Sequence, residues 1–266
     1  MPDIRYAQNE NVDRGDLRMQ VIERGTSTPI DDAKISISYS GDPDSTVEEV
    51  NTDASGMSET LTLDTPPLEL SMQPSEVQPY AEYTIQVTAK GYRPINISGI
   101  EVFSGQLSLQ EIRMDAEETT ESMTDNIVIP AHTLFAEYPP KIAEAEIKPV
   151  TETGEIVLSR VVIPEYVIVH DGAPSDPTAR DYYVRYRDYI KNVASSEIYP
   201  TWPESALRAN IYAQISFALN KIYTEFYRAR GYNFDITNTT QYDQAFVPGR
   251  NIFGDINRIV DDIFDS

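Results

Sequence analysis

The sequence predicts an α+β protein: an N-terminal β-sandwich followed by a mixed α/β domain that carries one long helix. Three observations predict it. Short runs with an apolar residue at every second position fill residues 16–114, apolar residues recur at every third or fourth position from Leu207 to Phe226, and an acidic, hydroxyl-rich stretch lies between the two patterns. A period of two is the mark of half-buried strands, and a period near 3.6 is that of a helix with one apolar face.

The strand signals come in order as Leu17, Met19 and Val21; Ile35, Ile37 and Tyr39; Tyr83, Ile85 and Val87; and Leu107, Leu109 and Ile112. Turn words stand between them: Thr28-Pro29-Ile30-Asp31-Asp32-Ala33, Thr52-Asp53-Ala54-Ser55-Gly56 and Lys90-Gly91-Tyr92. Residues 116–124 are nearly free of apolar groups and cannot offset the entropy of ordering them, so residues 116–134 are assigned to an acidic linker between domains at 1–115 and 135–266. Beyond it, β-branched runs at 127–130, 142–150 and 155–169, broken by prolines, predict strands and extended connections. The stretch from His170 to Pro177 reads as a loop.

A strand at 182–186 then leads to a helix at 188–196, with Ile190 and Val193 on one face. Thr201 and Glu204 have the spacing of a capping box, with Pro203 in the first turn where its missing N–H does no harm. The helix this opens carries Leu207, Ile211, Ile215, Ala218, Ile222 and Phe226 and is expected to run to Arg230, roughly 40 Å, with Gly231 as its stop. Ile252, Ile256, Val260 and Ile263 predict a last amphipathic helix.

The 266 residues carry 43 acidic and 21 basic side chains, a formal charge of -22. The acid excess falls along the chain: 20 acidic against 8 basic residues in 1–115, 9 against 3 in 116–163, and 14 against 10 in 164–266. A field of this sign repels nucleic acid and anionic membranes, so neither is expected as a partner, and it favours solubility. Without cysteine there is no disulfide framework, thiolate zinc site or cysteine nucleophile. No apolar run approaches the roughly 20 residues that span a bilayer, and residues 1–5 begin no charged-then-apolar signal, so ordinary secretory export is not expected. His132 and His170 stand far apart, which gives little support to a histidine-rich metal site or a Ser-His-Asp triad, and no cofactor is expected.

The candidate chemistry centres on Glu197, in the stretch NVASSEIYPTWPESALRA at 192–209. Breaking a glycosidic bond needs an acid to protonate the departing oxygen, and one carboxyl suffices when the substrate's own groups complete the reaction. Such an acid must hold its proton, and Ile198, Tyr199 and Trp202 supply desolvation. Glu197 fits equally the end of a helix or the partner of a cation. Tyr199, Trp202 and Tyr212 are candidates for stacking on sugar faces, with core packing or a staple at the helix start as the alternative.

The 192–209 stretch resembles the signature of the stage II sporulation protein D / LytB family, lytic transglycosylases and relatives that act on peptidoglycan, and Glu197 stands at the position of their catalytic acid. Gln73-Pro74-Ser75-Glu76-Val77-Gln78-Pro79-Tyr80, Tyr83, Gly91-Tyr92 and Val169-His170-Asp171-Gly172 are similar to clostridial spore cortex-lytic enzymes of the SleC type, and the likeness spans about residues 17–264. Residues 52–56 and the Gly91-Tyr92 pair resemble carboxypeptidase regulatory and Cna type B domains. Some Cna type B domains carry a lysine-to-asparagine isopeptide bond; the first strand has Arg18 and no lysine, so none is expected here.

The resemblance implies a precursor of a spore cortex transglycosylase that cleaves peptidoglycan glycan strands, kept inactive until an activating protease removes the N-terminal pro-like region. It implies a spore or cell-wall location, with Glu197 as general acid/base, and Tyr199, Trp202, Arg208 and Gln244 as substrate-binding residues. Gln244 and Phe246 match the spacing of the family's Gln-x-Tyr word, and Arg208 and Lys221 are candidates for meeting peptidoglycan carboxylates or for a solvated helix face. The family continues past the position matched by Ser266, which implies a catalytic domain truncated at its C-terminal end. A non-catalytic module that binds spore or cell-wall glycan, or a protein partner, is the alternative.

Overall fold

A computed structural model describes residues 12–75, 77–117, 124–132 and 162–266, and these form a mixed α+β protein, mostly sheet, with three α-helices among the described residues. In chain order the first elements are β1 (Asp13–Glu23), β2 (Lys34–Tyr39), β3 (Asp42–Asn51), β4 (Leu61–Thr65), β5 (Tyr80–Thr88), β6 (Ile95–Phe103), β7 (Leu107–Met114) and β8 (Asp125–Val128). There follow β9 (Tyr166–His170), β10 (Asp181–Arg185), α1 (Tyr186–Glu197), α2 (Glu204–Tyr223), β11 (Ile236–Thr237), β12 (Ile252–Phe253) and α3 (Gly254–Asp265). The chain divides into two compact units, the first made of residues 1–135, 199–202 and 248–255, the second of 136–198, 203–247 and 256–266.

The first unit holds two sheets, in the orders β3-β2-β5-β6-β8 and β12-β7-β1-β4, with β6 lying against β1 and β7. The expected alternation is what fills the space between them. Leu17, Met19, Val21, Ile35, Ile37, Tyr83, Ile85 and Val87 are all fully buried. The 52–56 turn is fixed by side chains: Thr52 accepts from the Ala33 N–H and donates to the Ile30 carbonyl, and Asp53 Oδ1 accepts from the N–H groups of Ser55 and Met57. Gly56 closes it at φ +71°, where a Cβ would lie 2.4 Å from the Val21 carbonyl oxygen.

β7 departs from the expected pattern. Its buried face is Ser108, Gln110, Ile112 and Met114, and Leu107 and Leu109 are only half-buried. Polar side chains face inward there because each finds an internal partner: Ser108 Oγ donates to the Glu101 carbonyl, and Gln110 Nε2 to the carbonyls of Glu111 and Gly249.

The linker assignment is corrected in its second half. Residues 124–132 belong to the first unit, with β8 paired in parallel to β6 from Ile95↔Asp125 to Ser98↔Val128, and with Ile129 and His132 buried. Of the β-branched run at 127–130, Ile127 and Val128 lie in β8 at the sheet edge, and Ile129 and Pro130 follow it. The rest of the linker at 118–123 and 133–134, and the run at 142–150, lie outside the described residues.

In the second unit β9 pairs antiparallel with β10 and in parallel with β11. The strand expected at 182–186 is β10, one residue earlier, and the helix expected at 188–196 is α1, which begins two residues sooner and ends one later. Helix α2 is shorter than expected: its 20 residues span about 30 Å, and Arg228–Arg230 form a separate 3-10 turn before Gly231. The capping box does not form. The residue before α2 is Pro203, with no side-chain cap; the Thr201 hydroxyl is buried without a hydrogen bond, and Glu204 takes hydrogen bonds from Arg208 and Arg258. Ile252, expected in the last helix, lies in β12, and α3 buries Ile256, Ile259 and Val260. Among the described residues no helix is long and apolar enough to cross a membrane.

Candidate functional site

Glu197 is the last residue of α1 and is half-buried. Its Oε1 accepts from the backbone N–H of Ala245 at 2.9 Å and its Oε2 from Gln214 Nε2 of α2 at 3.0 Å. These bonds join the end of α1 to α2 and to the segment around Gln244. The same segment is tied to α1 one turn earlier, where the Asn192 amide donates to the Val247 carbonyl and accepts from the Val247 N–H, both at 2.8 Å.

Gln244 is buried, and its amide is used on both sides: Oε1 accepts from the Tyr189 hydroxyl at 3.1 Å and Nε2 donates to the Gln214 carbonyl at 3.2 Å. Tyr189 stacks on Phe246 with ring centroids 5.7 Å apart. Burial pushes the Tyr189 phenol well above its ordinary range, and the nearby charges of Asp243 and Glu197 add to the shift. It remains a neutral donor, so the chain Tyr189–Gln244–Gln214–Glu197 is a polar network with a fixed direction at its first member.

Asp243 anchors a second buried group. Its Oδ2 accepts from the Tyr227 hydroxyl at 2.6 Å and from the N–H and hydroxyl of Thr237 at 2.8 and 2.7 Å, and Lys221 Nζ stands 3.3 Å from Oδ1. The Lys221 ammonium also lies 3.6 Å from the centroid of Phe226. Lys221 is therefore neither a solvated residue nor a surface group for peptidoglycan carboxylates; its side chain is 2 % exposed.

The residues expected around Glu197 are distributed as follows. Gln244 joins it through Gln214, in an internal role and not as an open contact for substrate. Arg208, on α2, pairs with Glu204 at 2.8 Å and with Asp262 at 2.7 Å. Tyr199 and Trp202 belong to the first unit. Tyr199 is 4 % exposed, its ring packed on His132 and Phe103 at 4.8 and 5.3 Å, and this leaves no open face for a sugar. Trp202 is half-buried and donates from its indole N–H to the Ser71 carbonyl at 3.2 Å. Tyr212 is the exposed ring among the three candidates for stacking.

His170 faces Asp181 at 2.7 Å through Nδ1 and the Ala173 carbonyl at 3.2 Å through Nε2, and stacks on Phe234 at 4.3 Å. Among the described residues no group of three or more histidine, aspartate or glutamate side chains could hold a metal ion.

Sequence reasoning missed Asn192, Gln214 and Asp243, and gave Lys221 an external role in place of its internal one. A signal existed for two of them. Gln214 and Lys221 take places three residues after Ile211 and Ala218 on the buried face of α2, and a polar residue in an apolar stripe must be bonded inside.

No protein-family model matches the chain, and no curated protein matches it. Solved structures that resemble it include Klebsiella pneumoniae 5-hydroxyisourate hydrolase, 16% identical over 39% of this chain and 92% of that one, with a TM-score of 0.26. A putative carbohydrate binding protein from Bacteroides uniformis is 9% identical over 37% of this chain and 40% of its own, at a TM-score of 0.26. A catechol 1,2-dioxygenase from Acinetobacter sp. ADP1 is 13% identical over 45% of this chain and 60% of its own, at 0.27. Similarity at this level carries neither fold nor function to this chain.

Proposed function

We propose that the protein acts on peptidoglycan of the spore cortex or cell wall as a lytic transglycosylase precursor, with Glu197 as general acid/base and with a first unit of the carboxypeptidase regulatory or Cna type B kind. The observation that carries this reading is the setting of Glu197. A half-buried carboxyl at a helix end, aimed by a backbone N–H and a side-chain amide, has its orientation set before substrate arrives, and proton transfer in a glycosidase depends on that aim.

A non-catalytic glycan-binding or interaction module is the second reading; the burial of Tyr199 and Gln244 takes two of the expected substrate contacts away from the first. Glycan release from purified cortex peptidoglycan separates the two. On the first reading Glu197→Gln keeps fold and binding but loses turnover by a factor on the order of 100 or more, and the wild type leaves 1,6-anhydromuramic ends. The substitution is tolerable at this place. Its carbonyl can keep the Ala245 N–H bond, and its new NH2 can meet the Oε1 of Gln214, a buried atom with no hydrogen bond, after a flip of that amide. Equal release by both proteins removes Glu197 from catalysis. Binding without release by either establishes the module.

A further inference from the structure

The first unit is completed by residues that lie far downstream of the linker. β12 adds to the edge of β7, antiparallel, with Ile252 opposite Leu109 and Phe253 opposite Ser108. Phe253 is fully buried, its ring edge-on to Phe103 at 5.2 Å. Asn251 reads the backbone of Glu101 on both sides, accepting from its N–H at 3.2 Å and donating to its carbonyl at 2.9 Å. Arg250 Nη1 stands 2.6 Å from Glu101 Oε1, with side chains 1 % and 0 % exposed, and Arg250 Nη2 donates to the Pro130 carbonyl at 2.7 Å.

The second half of the expected linker is held at the same place. The His132 N–H donates to Glu101 Oε1 at 2.8 Å, its ring Nδ1 lies 3.4 Å from Oε2, and its carbonyl accepts from the Tyr80 hydroxyl at 3.0 Å. Tyr199 packs on the His132 ring and Trp202 bonds to Ser71.

We propose that the β-sheet unit is an acceptor for its own downstream chain, holding residues 124–132, 199–202 and 249–253 as structural parts, so that a cut at 118–122 yields a tight two-chain complex and not a released N-terminal domain. The physical reason is that separation would open a sheet edge and expose Phe253. It would also leave Glu101, a carboxylate in the interior, without its guanidinium and amide partners. Proteolytic activation, if the chain undergoes it, then requires displacement of 249–253 as well as the cut. This inference stands apart from the glycan reading and does not depend on Glu197.

The test is to place a site-specific protease sequence over residues 118–122, cut the purified protein to completion, and follow it by size-exclusion chromatography at low micromolar concentration. The expected result is co-elution of the two fragments at the size of the intact protein, with separation only in denaturant. In the cut protein, Asn251→Ala should shift the mixture toward separate fragments by at least tenfold in dissociation constant, while the uncut Asn251→Ala protein keeps its circular dichroism. Two separate, folded species from the cut wild type at micromolar concentration would overturn the proposal, as would a cut Asn251→Ala protein that dissociates no more readily than the wild type.

Discussion

Arg250 and Glu101 form an ion pair closed to water, and its value lies in what happens when one partner is lost. Arg250→Met removes the charge but keeps much of the packing stem, and leaves Glu101 with His132 and Asn251 as remaining neighbours. Breaking such a pair costs about 3–5 kcal/mol, most of it the burden of an uncompensated buried charge. Urea denaturation should show a loss of that size for Arg250→Met, and adding Glu101→Gln should recover part of it. A double variant no more stable than the single one would place the cost in packing instead. At this scale the sequence is a poor guide. Glu197 could be placed at a helix end from the apolar pattern around it, but nothing in Tyr199-Pro200-Thr201-Trp202 tells a ring that packs inside from one that meets a ligand, because both uses need the same apolar surface.

Helix α2 ends before its expected stop for a reason visible only in backbone geometry. The N–H of Phe226 bonds to the Lys221 carbonyl at 3.0 Å and that of Glu225 to the Ile222 carbonyl at 3.1 Å, the paired bonds of a Schellman motif. Its left-handed residue is Glu225 at φ +50°, in place of the glycine that the sequence offers six residues later. Glu225 is exposed, so Glu225→Gly should stabilise the protein by about 0.5–1 kcal/mol, because a side chain in that conformation costs about 1–2 kcal/mol and glycine returns part of the gain as backbone entropy. A thermal melt would show the rise; a lower Tm would mean that the side chain stabilises the turn. Gly99 gives the opposite case. It sits in β6 at φ +83°, where a Cβ would lie 2.2 Å from the Ile129 carbonyl oxygen. Gly99→Ala must therefore either push β8 and its tail away from β6 or strain the strand, and a loss of more than about 1 kcal/mol is expected by chemical denaturation. Strands and helices were legible here as periods. The polar inward face of β7 and the end of α2 were not, since each is decided by partners distant in sequence or by a single φ.

The division of the chain into two units was legible only in outline. An acidic stretch poor in apolar groups marks where a connection can run, but the return of 248–255 to the first unit depends on pairing between residues about 140 positions apart, and no local period records it. The same arrangement sets a pH dependence for the whole molecule. Burial alone would push the Glu101 carboxyl up, but Arg250 and the hydrogen bond and charge of His132 outweigh it, and the net direction is below the ordinary 4.5. A carboxyl held lower in the folded chain than in the unfolded one contributes stability that is fully present above the unfolded value and is lost as pH falls through the folded one. Wild type should thus lose stability below about pH 4.5 as the pair with Arg250 is titrated away. Glu101→Gln lacks the charge at every pH, so it should be the less stable protein at pH 7, and the gap between the two should close as pH falls below the carboxylate range. Urea denaturation of both at a series of pH values from 7 to 3 measures that gap, and a gap that stays constant would show that the charge on Glu101 is not what holds residues 249–253 in the sheet unit.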